Sequence, residues 1–307
     1  MTQTRTAPFM SLHVTYRHCP VCKSESVKPV LSAKDHTVTQ EQFTISECAE
    51  CSFRFTSDAP SQEVIHNYYK SSAYISHTDT KKGLVNMIYH VARFFTMMSK
   101  EKLVKKASKR QVGMLLDIGS GTGTFLHTME KAGWSVVGLE PDAEARALAV
   151  KKYNCDIYPS DELFRLPDAT YSVVTMWHVL EHVHQLDEYI ARIKAILAPQ
   201  GKLIIAVPNY TSKDCAIYGA NWAAYDVPRH LYHFSPQSMR VLMQRHGLKV
   251  IGTKRMWLDS FYIAMLSEKY IGGNIFKAVW NGFRSNLNAL FNKEQCSSVV
   301  YIIEAES

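Results

Sequence analysis

From about residue 114 onward, short apolar runs alternate with stretches in which apolar residues recur every three or four positions. The runs predict strands at 114–118, 134–140, 155–158, 171–176, 202–207, 248–257 and 297–304. Helical spacing between them predicts helices that begin near Thr124, run through 142–153 and 186–197, and start again behind Ser235. Local chemistry agrees, because Ala198-Pro199-Gln200-Gly201 closes one helix while Ser235 followed by Pro236 opens another. Strand alternating with helix predicts an α/β domain built on a parallel sheet. Upstream, 84–109 has the spacing of one long amphipathic helix. Its stripe of Leu84, Met87, Ile88, Val91, Phe94, Phe95 and Met98 is expected to be core. Pro60 and Ser61 mark a further helix start that leads to Tyr68, Tyr69 and, beyond it, Tyr74. Near the end, 261–292 reads as two helices crowded with aromatics (Phe261, Tyr262, Tyr270, Phe276, Trp280, Phe283). They are expected to form a lid or a dimer surface, with docking on a membrane surface as the alternative.

The most specific chemistry follows the run at 114–118. Asp117 precedes Gly119-Ser120-Gly121-Thr122-Gly123, a G-x-G-x-G spacing, whereas a dinucleotide fingerprint places its third glycine where Thr124 stands. A pyrophosphate is a poor match, and Asp117 suits a cationic ligand. A second strand ends in Glu140, about 20 residues after the glycines, where Rossmann-like sheets hold a ribose. The bland alternative is an ordinary turn between strand and helix with a chance glycine cluster. Together, the two segments resemble motif I and the acidic motif of class I S-adenosylmethionine-dependent methyltransferases. The resemblance implies a Rossmann-like seven-stranded sheet whose last strand runs antiparallel. It also implies a cofactor site in which Glu140, with Pro141 beside it, holds both ribose hydroxyls. Gly119, Ser120, Gly121 and Gly123 would lie under the cofactor, with Asp117 near its methionine amino group. Asp161 and Leu163 take the adenine contact, Trp177 stacks near the adenine, and His178 faces the cofactor or the acceptor. Ser172 stands where family members commonly carry an aspartate. The run Val179-Leu180-Glu181-His182-Val183 is a strong feature of this branch, and structural and chemical roles for Glu181 and His182 both stay open.

Four of seven cysteines form two C-x-x-C pairs, Cys19/Cys22 and Cys48/Cys51, with 25 residues between them. That is the spacing of a tetrahedral thiolate zinc site, and four protein ligands make such a zinc structural. Disulfides are the competing reading, disfavoured in an intracellular setting. Cys155, Cys215 and Cys296 read as packing residues. The domains expected are a zinc ribbon at 1–58, a helical linker at 59–110, a methyltransferase core at 111–258, and a helical lid with the final strand at 259–307.

Composition narrows the picture only slightly. A chain of 307 residues with 46% hydrophobic and 21% charged residues is globular in character. No secretory signal and no uninterrupted spanning run is visible, so the cytoplasm is the expected compartment. The net charge is +7, and six bases fall within the eleven residues 100–110, read as a solvated helix end rather than a nucleic-acid contact.

Methyl transfer needs a group that takes the acceptor's proton. His230 is the first candidate and His178 the second, because histidine titrates near neutrality. Arg229 and His233 are expected to bind an anionic or hydroxylated acceptor. The run Arg229-His230-Leu231-Tyr232-His233-Phe234-Ser235, with the ribbon and the core, resembles the sugar C-methyltransferases over roughly residues 15–255. Those enzymes carry Glu-His where this chain has Arg229-His230, and add a C-terminal domain without counterpart here, which points away from C-methylation. Ubiquinone-type O-methyltransferases share the core and the V-L-E-H-V run but lack the ribbon. The expected function is methylation of an oxygen or carbon on a sugar, polyketide-like or lipid-linked small molecule, by a monomer or homodimer. The alternatives are an RNA methyltransferase, with the ribbon and basic helix as clamp, and a non-catalytic cofactor-binding scaffold.

Overall fold

The computed structural model describes residues 12–69, 84–109 and 111–306, with backbone alone over 84–94. Tyr74, and the side chains of the helical stripe from Leu84 to Phe94, lie outside the described residues. The chain opens with β1 (His13–Thr15), β2 (Val27–Lys34), β3 (Gln42–Cys48), β4 (Arg54–Thr56) and β5 (Asp58–Pro60). A short 3-10 turn, Ile65–Tyr69, stands where a longer helix was expected, and α1 (Leu84–Ala107) follows. The core then runs β6 (Met114–Ile118), α2 (Thr124–Lys131), β7 (Ser135–Leu139), α3 (Ala143–Tyr153), β8 (Ile157–Tyr158), β9 (Tyr171–Trp177), α4 (Leu186–Ile196) and β10 (Leu197–Pro208). After these come α5 (Lys213–Tyr218), β11 (Tyr232–His233), α6 (Pro236–Arg245), β12 (Leu248–Arg255), α7 (Asp259–Tyr270), α8 (Ile275–Phe291) and β13 (Ser298–Ala305).

Seven strands form one sheet in the order β12-β13-β10-β9-β6-β7-β8. Strands β6 to β10 pair in parallel, and β13 alone runs antiparallel, between β10 and β12. Leu115, Leu116, Val173 and Val174 are fully buried. Central parallel strands are covered on both faces, which is why they appear in the sequence as unbroken apolar runs instead of alternating ones. The predicted caps are in place. Asp142 accepts the Ala145 N–H at 2.7 Å, and Ser235 and Ser238 form a reciprocal capping box with Pro236 at the first turn. Two details differ from expectation. The Ala198–Gly201 segment belongs to an irregular start of β10, where the register shifts between Leu197 and Lys202. Phe95, expected in the core, is 60% exposed, and among the described residues the buried side chains of α1 are Leu103 and Val104.

The ribbon is joined to the core through both sheet and packing. Its four-stranded sheet has the order β11-β4-β3-β2, so its edge strand comes from the loop after residue 226. A boundary at residue 58 therefore cuts a continuous structure. Val21, Phe53 and Phe55 share one buried cluster with Ile190, Met239 and Tyr301, and Phe43 and Ile45 share another with Trp222, Tyr225 and Ile263.

Candidate active site

The turn after β6 leaves a backbone surface open. Gly119 has φ +74°, and a Cβ there would come within 2.3 Å of Val179 Cγ2. Gly121 has φ +53°, and a Cβ would meet nothing within 4 Å, so a ligand can lie directly on the main chain. Ser120 turns inward, its N–H and hydroxyl both donating to the Leu139 carbonyl. Gly123 caps α2. Across the turn, Glu140 is buried at the end of β7 and accepts the Gly121 N–H at 2.8 Å and the Asp142 N–H at 3.0 Å. Burial raises its pKa, against the opposing pull of those two donors. Asp117, on β6, accepts from the Thr175 hydroxyl at 2.5 Å. Burial pushes its carboxyl up to about 7, while Thr175 and the charge of Lys100 pull it down. This donor and acceptor set fits a ligand with a diol and an ammonium group.

A cavity of about 440 Å³ lies beside the turn, walled by Lys100, Trp177, Met256, Trp257, Leu258 and Asp259. Its lining does not include the glycines or Glu140, and the charge of Lys100 in its wall is felt by Asp117. The Lys100 ammonium sits 4.3 Å from the centre of the Trp177 ring, which meets Phe125 edge-on. Lys100 was read from sequence as part of a solvated basic run. Nothing local distinguishes it from its neighbours; only the path of α1 over the sheet edge does.

Of the adenine-side residues, Asp161 is exposed at the start of the Ser160–Arg165 turn, and Pro141 is exposed with its carbonyl bonded by Arg146. Leu163 is fully buried in the main core cluster, where a helix-facing apolar side chain belongs, so its side chain is packing and not a cofactor contact.

The histidines divide sharply. His178, at φ +58°, sits 3.0 Å from Asp259 and 3.4 Å from Glu181. Burial alone would lower its pKa, but the bonds and charges of the two carboxylates outweigh it and raise it to about 10. Both of its ring nitrogens face carboxylates, so neither presents a free lone pair to an acceptor. His233 is 3% exposed, edge-on to Tyr225 and 3.4 Å from the Thr56 hydroxyl. Burial, and then the charges of His230 and Arg54, hold it neutral, and no acceptor reaches it. Arg229 is likewise no acceptor ligand. It is 1% exposed and clamps Asp226 (2.7 Å), Asp35 (3.0 Å), Thr37 and the Tyr68 carbonyl (2.9 Å), tying ribbon to core.

His230 is the accessible member of its loop. Its Nδ1–H donates to the Ala224 carbonyl at 2.8 Å, which leaves the lone pair on Nε2. His182 meets it edge-on at 4.6 Å between ring centres. The Nδ1–H of His182 donates to the Arg229 carbonyl at 3.0 Å, and the Tyr69 hydroxyl is equally close. Burial, followed by the charge of His230, lowers the His182 pKa to about 4. Glu181 is fully buried, with His178 Nδ1 3.4 Å from its Oε1. One donor atom each from Glu181, His182 and His230 lies within 4.8 Å of the others, a spacing that can hold a cation. The Asp259 partner escaped the sequence reading, which left the roles of Glu181 and His182 open, because these contacts depend on segments distant in the chain.

The four ribbon cysteines also converge. Cys19 and Cys51 are 3.5 Å apart at sulfur, as are Cys22 and Cys48, and all four sulfurs lie within 4.8 Å of one another. Disulfide sulfurs would be about 2.0 Å apart. A tetrahedron with metal–sulfur bonds of about 2.3 Å has edges of about 3.8 Å, close to this arrangement.

Comparison with known proteins agrees with this geometry. The family model described as "Methyltransferase domain" matches residues 89–253. A ubiquinone biosynthesis O-methyltransferase of Bartonella bacilliformis is 28% identical over 45% of this chain and 60% of its own length. Its counterpart in Rhodopseudomonas palustris is 26% identical over 52% of this chain and 66% of its own length. The chain thus spans slightly less than two thirds of these relatives. Magnesium protoporphyrin IX methyltransferase from Synechocystis PCC 6803, solved with bound SAH, shares the fold. It has a TM-score of 0.54 at 14% identity, covering 80% of this chain and 100% of that one. Sheet order, glycine turn and family match converge on one conclusion: the chain belongs to the methyltransferase-domain family, among the class I S-adenosylmethionine-dependent methyltransferases.

Proposed function

We propose that this protein methylates an oxygen of a small-molecule acceptor that enters through the cavity beside Trp177 and presents its hydroxyl to His230. The observation that carries the reading is Glu140, a buried carboxylate fixed by two backbone N–H groups across from a turn whose outer face is open. A carboxylate so placed holds both hydroxyls of a ribose. Asp117 takes the ammonium of the cofactor's methionine end and Lys100 its carboxylate, a division of charge that their positions support. S-adenosylmethionine, when bound, supplies an activated methyl group. The chain's own task is to orient the acceptor and remove its proton.

The cavity wall leads to the group that performs this removal. Asp259 holds His178 as a cation, His178 pairs with Glu181, and Glu181 adjoins His182 and His230. His230 presents a lone pair on Nε2 and is the proton acceptor; Glu181 stabilises the imidazolium that forms. His178 is a positioning residue. The choice of oxygen is supported by the ubiquinone-type relatives and by Arg229-His230 in place of Glu-His. An RNA substrate has less support, because Lys100 is turned onto Trp177 and Lys105 pairs with Glu101 at 2.6 Å.

The ribbon cysteines hold one structural zinc in this reading. Its consequence reaches the site, since β4 pairs with β11 and the Thr56 hydroxyl donates to the His230 carbonyl at 2.9 Å. Metal analysis should find one zinc per chain, and a folded, zinc-free protein would remove this part.

Calorimetric titration with S-adenosylmethionine, S-adenosylhomocysteine and NAD tests the central claim. Binding of the first two, silence toward NAD, and loss of both signals in Glu140→Ala are expected. Unchanged affinity in that variant would overturn the site.

A further inference from the structure

Helix α8 is amphipathic in an unusual sense: its small residues face the protein and its large ones face outward. Ala278, Gly282, Ser285 and Ala289 are buried, at spacings of four, three and four. Outward stand Phe276 at 83% exposure, Trp280 at 60% and Phe291 at 93%, with Val279, Phe283 and Leu287 on the same face. A lid would turn its aromatics into the cavity, and none of these lines it. An exposed apolar face of this kind marks an interaction surface.

Charge identifies the partner. Between residues 257 and 295 there are three acids, and each is engaged within the protein. Asp259 pairs with His178, Glu268 is buried against Tyr218 and Asn281, and Glu294 meets Arg240. The four bases of the same segment, Lys269, Lys277, Arg284 and Lys293, form no ion pair among the described residues. A second copy of this chain would set cations against cations around the apolar contact. Trp and Phe on one face, with Lys and Arg as the only exposed unpaired charges of this segment among the described residues, is the pattern of a helix lying in an anionic lipid interface. No helix among the described residues is long and apolar enough to cross a membrane, so the contact is peripheral.

The face also continues to the cavity. Asn286 donates to the Trp257 carbonyl at 2.9 Å, and the Arg255 guanidinium reaches the Leu290 carbonyl at 3.5 Å. Trp257 and Leu258, both exposed, form the cavity rim. We propose that α8 seats the protein on an anionic bilayer surface, and that the cavity draws its acceptor, an amphiphile dissolved in that bilayer, across the rim at Trp257 and Leu258. The first half stands on α8 alone; the second rests on the methyltransferase reading above.

The experiment is co-sedimentation of the full chain with vesicles of phosphatidylcholine alone and of phosphatidylcholine with phosphatidylglycerol, at low and physiological salt. The double variant Phe276→Ser/Trp280→Ser and the charge variant Lys277→Glu/Arg284→Glu run in parallel. Wild type should bind the mixed vesicles, and each variant should lose about tenfold or more in partitioning. S-adenosylmethionine affinity of both variants should be unchanged, which separates this result from any failure of the cofactor site. Absence of binding by wild type, or equal binding by all three proteins, overturns the proposal. So does a wild-type dimer that Phe276→Ser/Trp280→Ser converts to monomer without vesicle binding, because a second copy would then cover the face.

Discussion

The glycine turn and the Arg229–Ser235 loop differ in how their residues come together. At the turn, Asp117, the glycines and Glu140 lie within 24 positions of one another and meet through one βαβ unit. Gly121 presents open backbone there, and the buried carboxylates Asp117 and Glu140 stand at the ends of the two strands that flank the turn. The loop carries three residues with an expected acceptor role, Arg229, His230 and His233, yet of these only His230 remains accessible. Arg229 and His233 are drawn into the ribbon because β11 pairs with β4, which turns alternate side chains of the loop toward that sheet. A local unit holds its residues in the arrangement that their spacing in the chain dictates. A segment recruited by a distant sheet gives most of its polar groups to that sheet.

Four substitutions sharpen this contrast, beginning with the largest effect. Arg229→Met should destabilise the fold by about 3–5 kcal/mol, because Asp35 is then left fully buried without its cation and the partly buried Asp226 loses its partner. Thermal unfolding measures this, and a wild-type midpoint would return Arg229 to the acceptor site. His230→Ala should reduce kcat by about 10²–10³-fold while cofactor affinity holds, the signature of a lost proton acceptor. Turnover at the wild-type rate would show that the whole loop is structural. Glu140→Ala should weaken S-adenosylmethionine binding by about 30- to 100-fold, or ~2–3 kcal/mol, with little change in stability.

The smallest effect is a pH dependence. The Asp117 carboxyl titrates near 7 in the fold against an ordinary value of 3.8. Its folded form prefers the proton, so this group lowers stability progressively as pH rises from about 4 to about 7. A cationic ligand favours the ionised form, so cofactor affinity should climb as pH rises through 7, by up to about tenfold per unit below it. Above about 8 the ligand's own amino group loses its proton and the gain should reverse. Calorimetry across pH 6 to 9 follows the curve, and Asp117→Asn should flatten its rising limb.

Much of the core was legible. The seven strands, the caps at Asp142 and Ser235, and the helical pair at 261–292 depend on periodicity and on turn chemistry that neighbours in the chain define. Leu163 and Phe95 went the other way for a common reason. An apolar residue reads the same whether it packs in a core or lines a rim, and only the placement of α1 and of the Ser160–Arg165 turn decides between them. Lys100 is the converse case, a base among bases until α1 carries it onto Trp177.

The sequence by itself determined the α/β sheet, the glycine turn with its two carboxylates, and the cysteine quartet, because each follows from spacing within a local unit. Tertiary structure decided which histidine keeps an accessible lone pair. It made His178 a cation by placing Glu181 and Asp259 on either side, and it turned the large face of α8 to the outside. Those outcomes depend on charges and burial contributed by segments far apart in the chain, and burial sets both the protonation and the exposure of a side chain.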